Sequence, residues 1–270
     1  MSTYREYPPS AVLREYVDCY WTRTGDIELP SAHRILPDGC IDILFDFGSR
    51  STDAFVIGPM TRPLLVDAGS PENMIAVRFR PGGAFAFFNL PMHALTNARV
   101  EVANFWKDAG SFEESIIERA SIHERIAALE RALVARLPSA RSIDPRISAA
   151  IKSLKHTSGQ MPIDSISSEF GMSRQHLTRK FQEHVGISPK FFARIVRMQD
   201  MLRRVENVRH VDWCTLALDS GYYDQAHMID DFHDLCGVSP ARYLLLRGLG
   251  LQMNALTNFA PTVAIESRLP

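Results

Sequence analysis

The chain repeats itself once in its C-terminal half, and this repeat limits the folds that it can adopt. The stretch Gly186-Ile187-Ser188-Pro189 returns 51 residues later as Gly237-Val238-Ser239-Pro240. Upstream, Gly171 corresponds to Gly221, one residue short of that spacing, so the second copy has one extra residue in its turn. An internal repeat indicates tandem supersecondary units, and two copies are too few for a solenoid. The sequence therefore predicts two small helical modules joined by a helix.

Each copy has the pattern of a helix, a tight turn and a second helix. In the first copy, apolar residues recur at helical spacing up to Phe170, and Gly171 supplies the positive φ that a turn needs. Ser173 is a good N-cap for the next helix, in which Leu177 and Phe181 share a buried face. The second copy repeats this order with Gly221 in the turn, Asp224 as the cap, and Met228 and Phe232 on the buried face.

These two stretches, residues 171–189 and 221–240, resemble the paired helix-turn-helix units of AraC/XylS-type transcription regulators. The resemblance implies that two recognition helices enter successive major grooves on one face of the DNA, about 34 Å apart. A helical bundle that merely repeats is the alternative, and it would leave an exposed polar helix face without a role. The residues assigned to DNA are Arg174, Gln175, Thr178, Arg179 and Lys180 in the first unit and Gln225 in the second.

Within this set, the chemistry of each side chain suggests a role. Arg179 is the candidate for a bidentate contact with guanine, and Gln175 and Thr178 would read neighbouring bases. Arg174 and Lys180 are assigned to phosphates.

Charge supports DNA binding for only one of the two units. Residues 141–211 carry 13 basic and 6 acidic side chains, a net charge of +7. Residues 212–250 carry 2 basic and 6 acidic side chains, a net charge of −4. Asp230 and Asp231 follow Gln225 in the second recognition helix, and carboxylates in a groove are repelled by the phosphates. We therefore expect the first unit to dominate DNA binding, with a protein partner as the alternative for the second.

The N-terminal half has the pattern of a β-rich domain. Predicted strands, separated by turns that contain Gly or Pro, cover residues 17–22, 40–47, 55–57, 64–66 and 74–80. Many short strands are typical of an antiparallel barrel or sandwich. The predicted fold class is therefore α+β, with an N-terminal antiparallel β barrel or sandwich with flanking helices and a C-terminal all-α domain with two helix-turn-helix units.

Residues 36–42 and 78–83 resemble parts of the β-rich, cupin-like sensor domain that precedes some AraC-type regulators. This resemblance implies a small-molecule effector. Arg78 and Arg80 share a strand face, because side chains two residues apart in a strand point the same way. An anionic effector is one interpretation of this pair. The favoured alternative is that both arginines face solvent and pair with Asp42 or Asp46 of a neighbouring strand.

Helices are predicted after the strands. Residues 84–110 contain short helices, and residues 112–137 have a helical pattern with an apolar seam of Ile122, Ile126, Leu129 and Leu133. The seam has the spacing of a coiled coil, but it is too short to specify a dimer, so packing on its own domain is favoured. The predicted domains are residues 1–138 for sensing and dimerisation, 139–250 for the double helix-turn-helix, and 251–270 for a tail.

Catalytic and metal sites find little support in the sequence. A cupin-type metal site needs several converging ligands, whereas the β-rich region offers only His33 and His93, far apart in sequence. Four possible zinc ligands lie near one another in the sequence around the second repeat: His210, Cys214, His233 and Cys236. They lack zinc-finger spacing, so the thiols of Cys214 and Cys236 are expected to be buried. No catalytic residue, metal site or cofactor is predicted. A cupin-type enzyme fused to a DNA-binding domain is the remaining alternative.

Together these patterns predict a sequence-specific DNA-binding transcription regulator that responds to a small-molecule effector. The expected partners are double-stranded DNA and the effector, with RNA polymerase and a second copy of the chain in a homodimer as further candidates. The apolar runs are too short to span a bilayer, and the N-terminus lacks a signal-peptide pattern. We therefore expect a cytoplasmic protein with no membrane partner.

Overall fold

The computed structural model describes residues 3–26, 33–47, 53–66, 71–206, 211–248 and 253–255 of the 270-residue chain. The strands are β1 (Thr3–Tyr7), β2 (Val17–Asp26), β3 (His33–Leu36), β4 (Ile41–Asp46), β5 (Asp53–Ile57), β6 (Leu64–Val66), β7 (Pro71–Phe79), β8 (Arg99–Glu101) and β9 (Met253–Ala255). The helices are α1 (Ala109–Ile117), α2 (Ile122–Arg136), α3 (Pro145–His156), α4 (Ile163–Glu169), α5 (Arg174–Val185), α6 (Pro189–Arg204), α7 (Trp213–Asp219), α8 (Gln225–Cys236) and α9 (Pro240–Gly248).

Two sheets make up the β-rich part. Six strands form an antiparallel sheet in the order β1-β2-β7-β4-β5-β8, and a smaller sheet has the order β6-β3-β9. In the smaller sheet, β9 comes from the predicted tail and runs parallel to β3, with Arg34 opposite Met253. A β-rich N-terminal domain with flanking helices, followed by an all-α domain, confirms the predicted fold class.

One face of the six-stranded sheet packs on the helical segments that follow it. Strand residues such as Phe45 and Val77 share a core with Trp106 and with Leu129 and Leu133 of α2. Both leucines are fully buried there. The apolar seam therefore packs on its own domain, which confirms the interpretation that the sequence favoured.

The helical stretch predicted over residues 112–137 consists of two helices, α1 and α2. Ser121 begins α2 with a capping box: its side chain accepts from the backbone N–H of Glu124, whose carboxylate accepts in return from the N–H of Ser121. Reciprocal caps of this kind satisfy backbone donors that a helix start leaves free. The break between the helices therefore follows from local hydrogen bonding.

Helices α3 to α9 enclose a second core, and within it α4–α5 and α7–α8 are the two helix-turn-helix units joined by α6. Ser173 and Asp224 cap the second helix of each unit by accepting from the N–H of the residue three positions on. Gly186 and Gly237 end these helices in the left-handed conformation that favours glycine. The caps and the turns predicted from the repeat are confirmed.

The two cysteines of the second repeat have different environments. Cys236 is buried, as expected, but the prediction that Cys214 is buried is wrong, because its side chain is exposed. Its neighbour Trp213 turns inward and meets the ring of Phe232 edge-on at 6.3 Å. Since successive helix residues point in different directions, Cys214 cannot share that inward face. Across the described ranges, no three His, Cys, Asp or Glu side chains group in a way that could hold a metal ion.

Among the residues given above, no helix is long and apolar enough to cross a membrane.

Candidate nucleic-acid interface

The outward face of α5 brings five polar side chains together. The inward residues Leu177 and Phe181 are fully buried, so the helix presents its opposite face to solvent. The side chains that line one shallow depression on that face are Arg174, Gln175, Thr178, Arg179 and Gln182. The structure therefore groups four of the five residues predicted in the first unit. Gln182 was missed, although it lies one helical turn beyond Thr178 and the same spacing would have identified it.

The partners of the two arginines on this face compete only weakly with DNA for their guanidinium groups. Arg174 lies 3.4 Å from Asp164 of α4, and both side chains are largely exposed. An ion pair in water contributes only about 0–1 kcal/mol, so Arg174 can exchange this partner for a phosphate. Arg179 Nη2 lies 3.4 Å from His176 Nδ1, and no carboxylate in the described part of the chain pairs with it. A planar guanidinium with free donors suits the bidentate edge of guanine.

Lys180 does not belong to this face. An α-helix has about 3.6 residues per turn, which places Lys180 nearly opposite Gln175 and Gln182. Its Nζ pairs with Glu183 Oε2 at 2.9 Å. The pKa of Glu183 is lowered, chiefly by this hydrogen bond. A phosphate contact by Lys180 stays a prediction, and it would have to lie apart from the depression on α5.

The corresponding face of α8 has a different chemistry. The 51-residue shift places Gln225, Ala226, Ile229, Asp230 and His233 at the positions of the five polar residues of α5. All are exposed except Ile229, which is half-buried. Asp230 therefore stands where the first unit has Arg179, and Gln225 lies at the start of the helix. This face offers two apolar side chains, one carboxylate and no Arg or Lys.

Asp231, in contrast to Asp230, does not face a groove. It is buried, and Arg194 of α6 donates through Nε to Asp231 Oδ1 at 2.7 Å. The same guanidinium binds Asp234 Oδ2 at 2.6 Å. The sequence interpretation placed Asp230 and Asp231 together, which is wrong for Asp231, because consecutive helix residues point about 100° apart. The Asp231 carboxylate fastens α8 to α6.

Other arginines of α6 also have partners within the chain. Arg197 donates to the carbonyl of Gly159 at 2.9 Å. Arg203 and Arg204 both bind Asp200 at 2.8 Å. The net charge of +7 counted over residues 141–211 already subtracts Asp200, but not Asp231 and Asp234 of α8, which pair with Arg194. It therefore overstates the positive charge that is free to meet DNA.

In the N-terminal domain, Arg78 is buried within an acidic pair. It is only 1% exposed and binds Asp42 through Nε–Oδ1 at 3.2 Å and Nη2–Oδ2 at 2.9 Å. Asp38 Oδ2 lies 3.8 Å from its Nε. Burial lowers the pKa of Arg78, but the two carboxylates outweigh it and the pKa is raised. The predicted pairing with Asp42 is present, although it lies in the interior and not at the surface.

Arg80 is separated from Arg78. Its side chain is 44% exposed, and its Nη1 lies 3.3 Å from Asp18 Oδ1. Its Nε donates to the carbonyl of Arg14 at 2.8 Å. The structure therefore does not bring the two predicted effector residues into one site.

Two family models match separate parts of the chain. Residues 166–245 match the family model described as a Helix-turn-helix domain. Residues 5–101 match the model described as a Domain of unknown function (DUF6597). An uncharacterized HTH-type transcriptional regulator of Haemophilus influenzae is 30% identical over 101 residues, which are 37% of this chain and 34% of that protein. The chain thus spans about a third of this curated relative.

Two solved structures are similar over larger shares. The C-terminal domain of AraT, a response regulator from Geobacillus stearothermophilus, is 20% identical with a TM-score of 0.37, covering 44% of this chain and 97% of that one. ToxT from Vibrio cholerae is 11% identical with a TM-score of 0.41, covering 91% of this chain and 98% of that one. Both TM-scores are below 0.5, so the fold rests on the helices, caps and sheets described above. With the 51-residue repeat, the capped recognition helices and the family match, residues 166–245 form a domain of two helix-turn-helix units.

Proposed function

We propose that this chain is a sequence-specific DNA-binding transcription regulator in which the first helix-turn-helix unit does most of the reading. The observation that carries the proposal is the outward face of α5, where donors and acceptors surround one depression. Recognition helices of this motif read the edges of bases in the major groove. The face combines an amide, a hydroxyl and a guanidinium that pairs with no carboxylate among the described residues, and these are the groups that distinguish base pairs.

The position of each residue on α5 suggests its contact. Arg174 and Gln175 lie in the first turn, the part of a recognition helix that enters the groove. Arg179 would bind guanine through two parallel hydrogen bonds, and Gln175 and Thr178 would read adjacent bases. Gln182, farther along the same face, would extend the contact toward the groove edge. Arg174, already in a solvent-exposed ion pair, would bind a phosphate.

The second unit is proposed to contact DNA only weakly. Gln225 at the start of α8 can donate to and accept from a base, and Ala226 and Ile229 can touch thymine methyl groups. Asp230 disfavours contact with DNA, since only the cytosine amino group offers a carboxylate a favourable contact. The same apolar and acidic face favours a second candidate, in which α8 meets a protein partner. RNA polymerase and a second copy of this chain are the candidates for that role.

We also propose that the N-terminal domain responds to a small-molecule effector. The supporting observation is the buried Arg78, whose Nη1 has no hydrogen-bond partner within the described part of the structure. Buried donors are rarely left without an acceptor. Because Asp42 and Asp38 already offset the charge of Arg78, a neutral group with a carbonyl or hydroxyl oxygen fits better than an anion. Thermal unfolding against a panel of small metabolites tests this, with stabilisation lost in Arg78→Met if the guanidinium takes part.

Selection from random duplex DNA with the purified full chain tests the main proposal. Enriched sequences should share a short motif, and footprinting on that motif should show strong protection in one major groove and weaker protection in the next. Failure to enrich any sequence would refute sequence-specific binding. Equal protection of both grooves would refute the unequal division between α5 and α8.

A further inference from the structure

The ends of α5 and α8 that lie away from the first-turn residues both contact the N-terminal domain. Thr96 Oγ1 donates to the carbonyl of Gly186, which ends α5, at 2.6 Å. Arg34 Nη1 donates to the carbonyl of Cys236, the last residue of α8, at 2.9 Å. The two contacts therefore lie one residue apart in the 51-residue repeat, because Gly186 corresponds to Gly237, which Cys236 directly precedes.

The repeated glycines leave room for this contact. Gly186 and Gly237 have φ values of 95° and 68°, and positive φ values in this range favour glycine over other residues. A Cβ at position 186 would come within 2.6 Å of Pro59 Cγ, and one at position 237 would lie 3.1 Å from Pro63 Cγ and overlap Arg34. The short segment 59–63 of the N-terminal domain therefore reaches both units.

An aromatic contact strengthens the attachment at α5. The ring of His184 stacks on Phe85 with 4.0 Å between centroids, and the guanidinium of Arg141 lies 3.7 Å from the centroid of Phe85. His184 Nε2 accepts from the backbone N–H of Asp144 at 3.3 Å, and Nδ1 lies 2.9 Å from the carbonyl of Lys180. A neutral imidazole with its proton on Nδ1 satisfies both contacts. The last turn of α5 is thus held on its inner side by the N-terminal domain and by residues 141–144, which lie between α2 and α3.

These contacts satisfy groups that a helix cannot satisfy by itself. The last carbonyls of a helix have no partner within it and carry the negative end of the helix dipole. A hydroxyl meets this need at α5, and a cationic guanidinium meets it at α8. The reading residues at the start of each helix, such as Arg174 and Gln225, remain exposed. The N-terminal domain therefore holds both helices without covering the ends that would enter DNA.

We infer that Thr96 and Arg34 are positioning residues for DNA binding, which hold α5 and α8 at a fixed separation and angle through the N-terminal domain. The inference rests on the proposed DNA binding by these two faces. Helix α6 joins the units along the chain, and segment 59–63 with Thr96 and Arg34 contacts both of them as a second connection. Two grooves can be entered together only if the recognition helices keep a matching spacing.

A distance measurement between the two helices tests the brace without DNA. In the full chain carrying Cys214→Ser, spin labels are placed at the corresponding exposed positions through Gln182→Cys and His233→Cys. The other three cysteines are buried. Pulsed electron paramagnetic resonance should give a narrow distance distribution for this protein and a broader one after Thr96→Val with Arg34→Gln. The matched control is Thr24→Val with Arg131→Gln, at exposed positions away from the interface, and it should stay narrow.

A binding measurement on unlabelled protein then connects the brace to DNA. The pair Thr96→Val with Arg34→Gln should weaken binding to the selected DNA by about tenfold, since binding must then order two helices that these contacts hold in place in the free protein. Circular dichroism confirms that each variant is folded, and the two single substitutions replace the pair if it is not. An unchanged distance distribution would overturn the inference, as would DNA affinity that is unchanged or increased. If the unsubstituted chain binds no DNA, the proposed function fails, and the distance measurement alone decides whether these residues fix the helices.

Discussion

Replacing Asp230 by Arg should turn the weak face of α8 into one that attracts phosphates. Asp230 is exposed and occupies the position that Arg179 holds in the first unit. A unit charge about 7 Å from a phosphate in water interacts by about 0.6 kcal/mol. Reversing the sign of that charge therefore changes binding by about 1 kcal/mol, which is about sixfold. The new cation should also steepen the dependence of log K on log salt by about one.

Fluorescence anisotropy with a labelled random-sequence duplex, measured over a salt series, provides both quantities. Glu118→Arg is the matched control, because it makes the same change in net charge at an exposed position at the end of α1. The control should change the affinity only slightly and leave the salt slope near that of the unsubstituted chain. A parallel titration uses the selected DNA sequence.

Two outcomes would refute the reasoning. If Asp230→Arg leaves both affinity and slope unchanged, α8 does not approach the phosphates at all, and its face is free for a protein. If the substitution weakens binding to the selected sequence and relaxes one base preference, then Asp230 reads a base and the second unit contributes specificity.

Three further predictions follow from the contacts of single residues. Arg179→Ala should cost about 1–3 kcal/mol of specific binding and relax the preference at one or two base pairs, whereas Arg131→Ala should not, as repeated selections would show. Arg78→Ala should lower the free energy of unfolding by about 3–5 kcal/mol in urea denaturation, because it leaves the Asp42 carboxylate buried without its cation; a loss below about 1 kcal/mol would mean that water reaches the pair. Burial lowers the pKa of His184 below its usual 6.5, so the unfolded chain binds this proton more readily. The stability that His184 contributes should be fully present above pH 6.5 and decline as the pH falls, and His184→Gln should remove this part of the pH dependence of thermal unfolding.

The helical domain was predictable because the same helix-capping and turn residues occur in both copies of its repeat. Ser173 and Asp224 precede helices as caps, and Gly186 and Gly237 follow them, and each of these choices depends on the backbone within a few residues. Such local signals do not depend on how the helices pack against the rest of the protein. The capping pattern Ser121-Ile122-His123-Glu124 is equally local. It could have located the break between α1 and α2, which the apolar seam concealed.

Residues whose environment depends on distant partners were harder to place. Asp231 pairs with Arg194, 37 residues earlier, so its burial cannot be read from its own neighbourhood. Arg78 and Asp42 lie opposite one another on neighbouring strands, which made the pairing foreseeable, but the burial depends on how the sheet is covered. Alternation along a strand separates its two faces and does not say which of them water reaches.

The parallel pairing of β9 with β3 returns the end of the described chain to the domain in which it began. Cleavage between α2 and α3, near residue 140, would therefore leave two fragments that are still joined by the main-chain hydrogen bonds between β3 and β9. A chain truncated at residue 250 would expose one side of β3 as an unpaired edge, and such edges recruit other strands and promote aggregation. The piece of this protein that can be studied in isolation should accordingly extend at least to residue 255, well beyond the last helix-turn-helix residue.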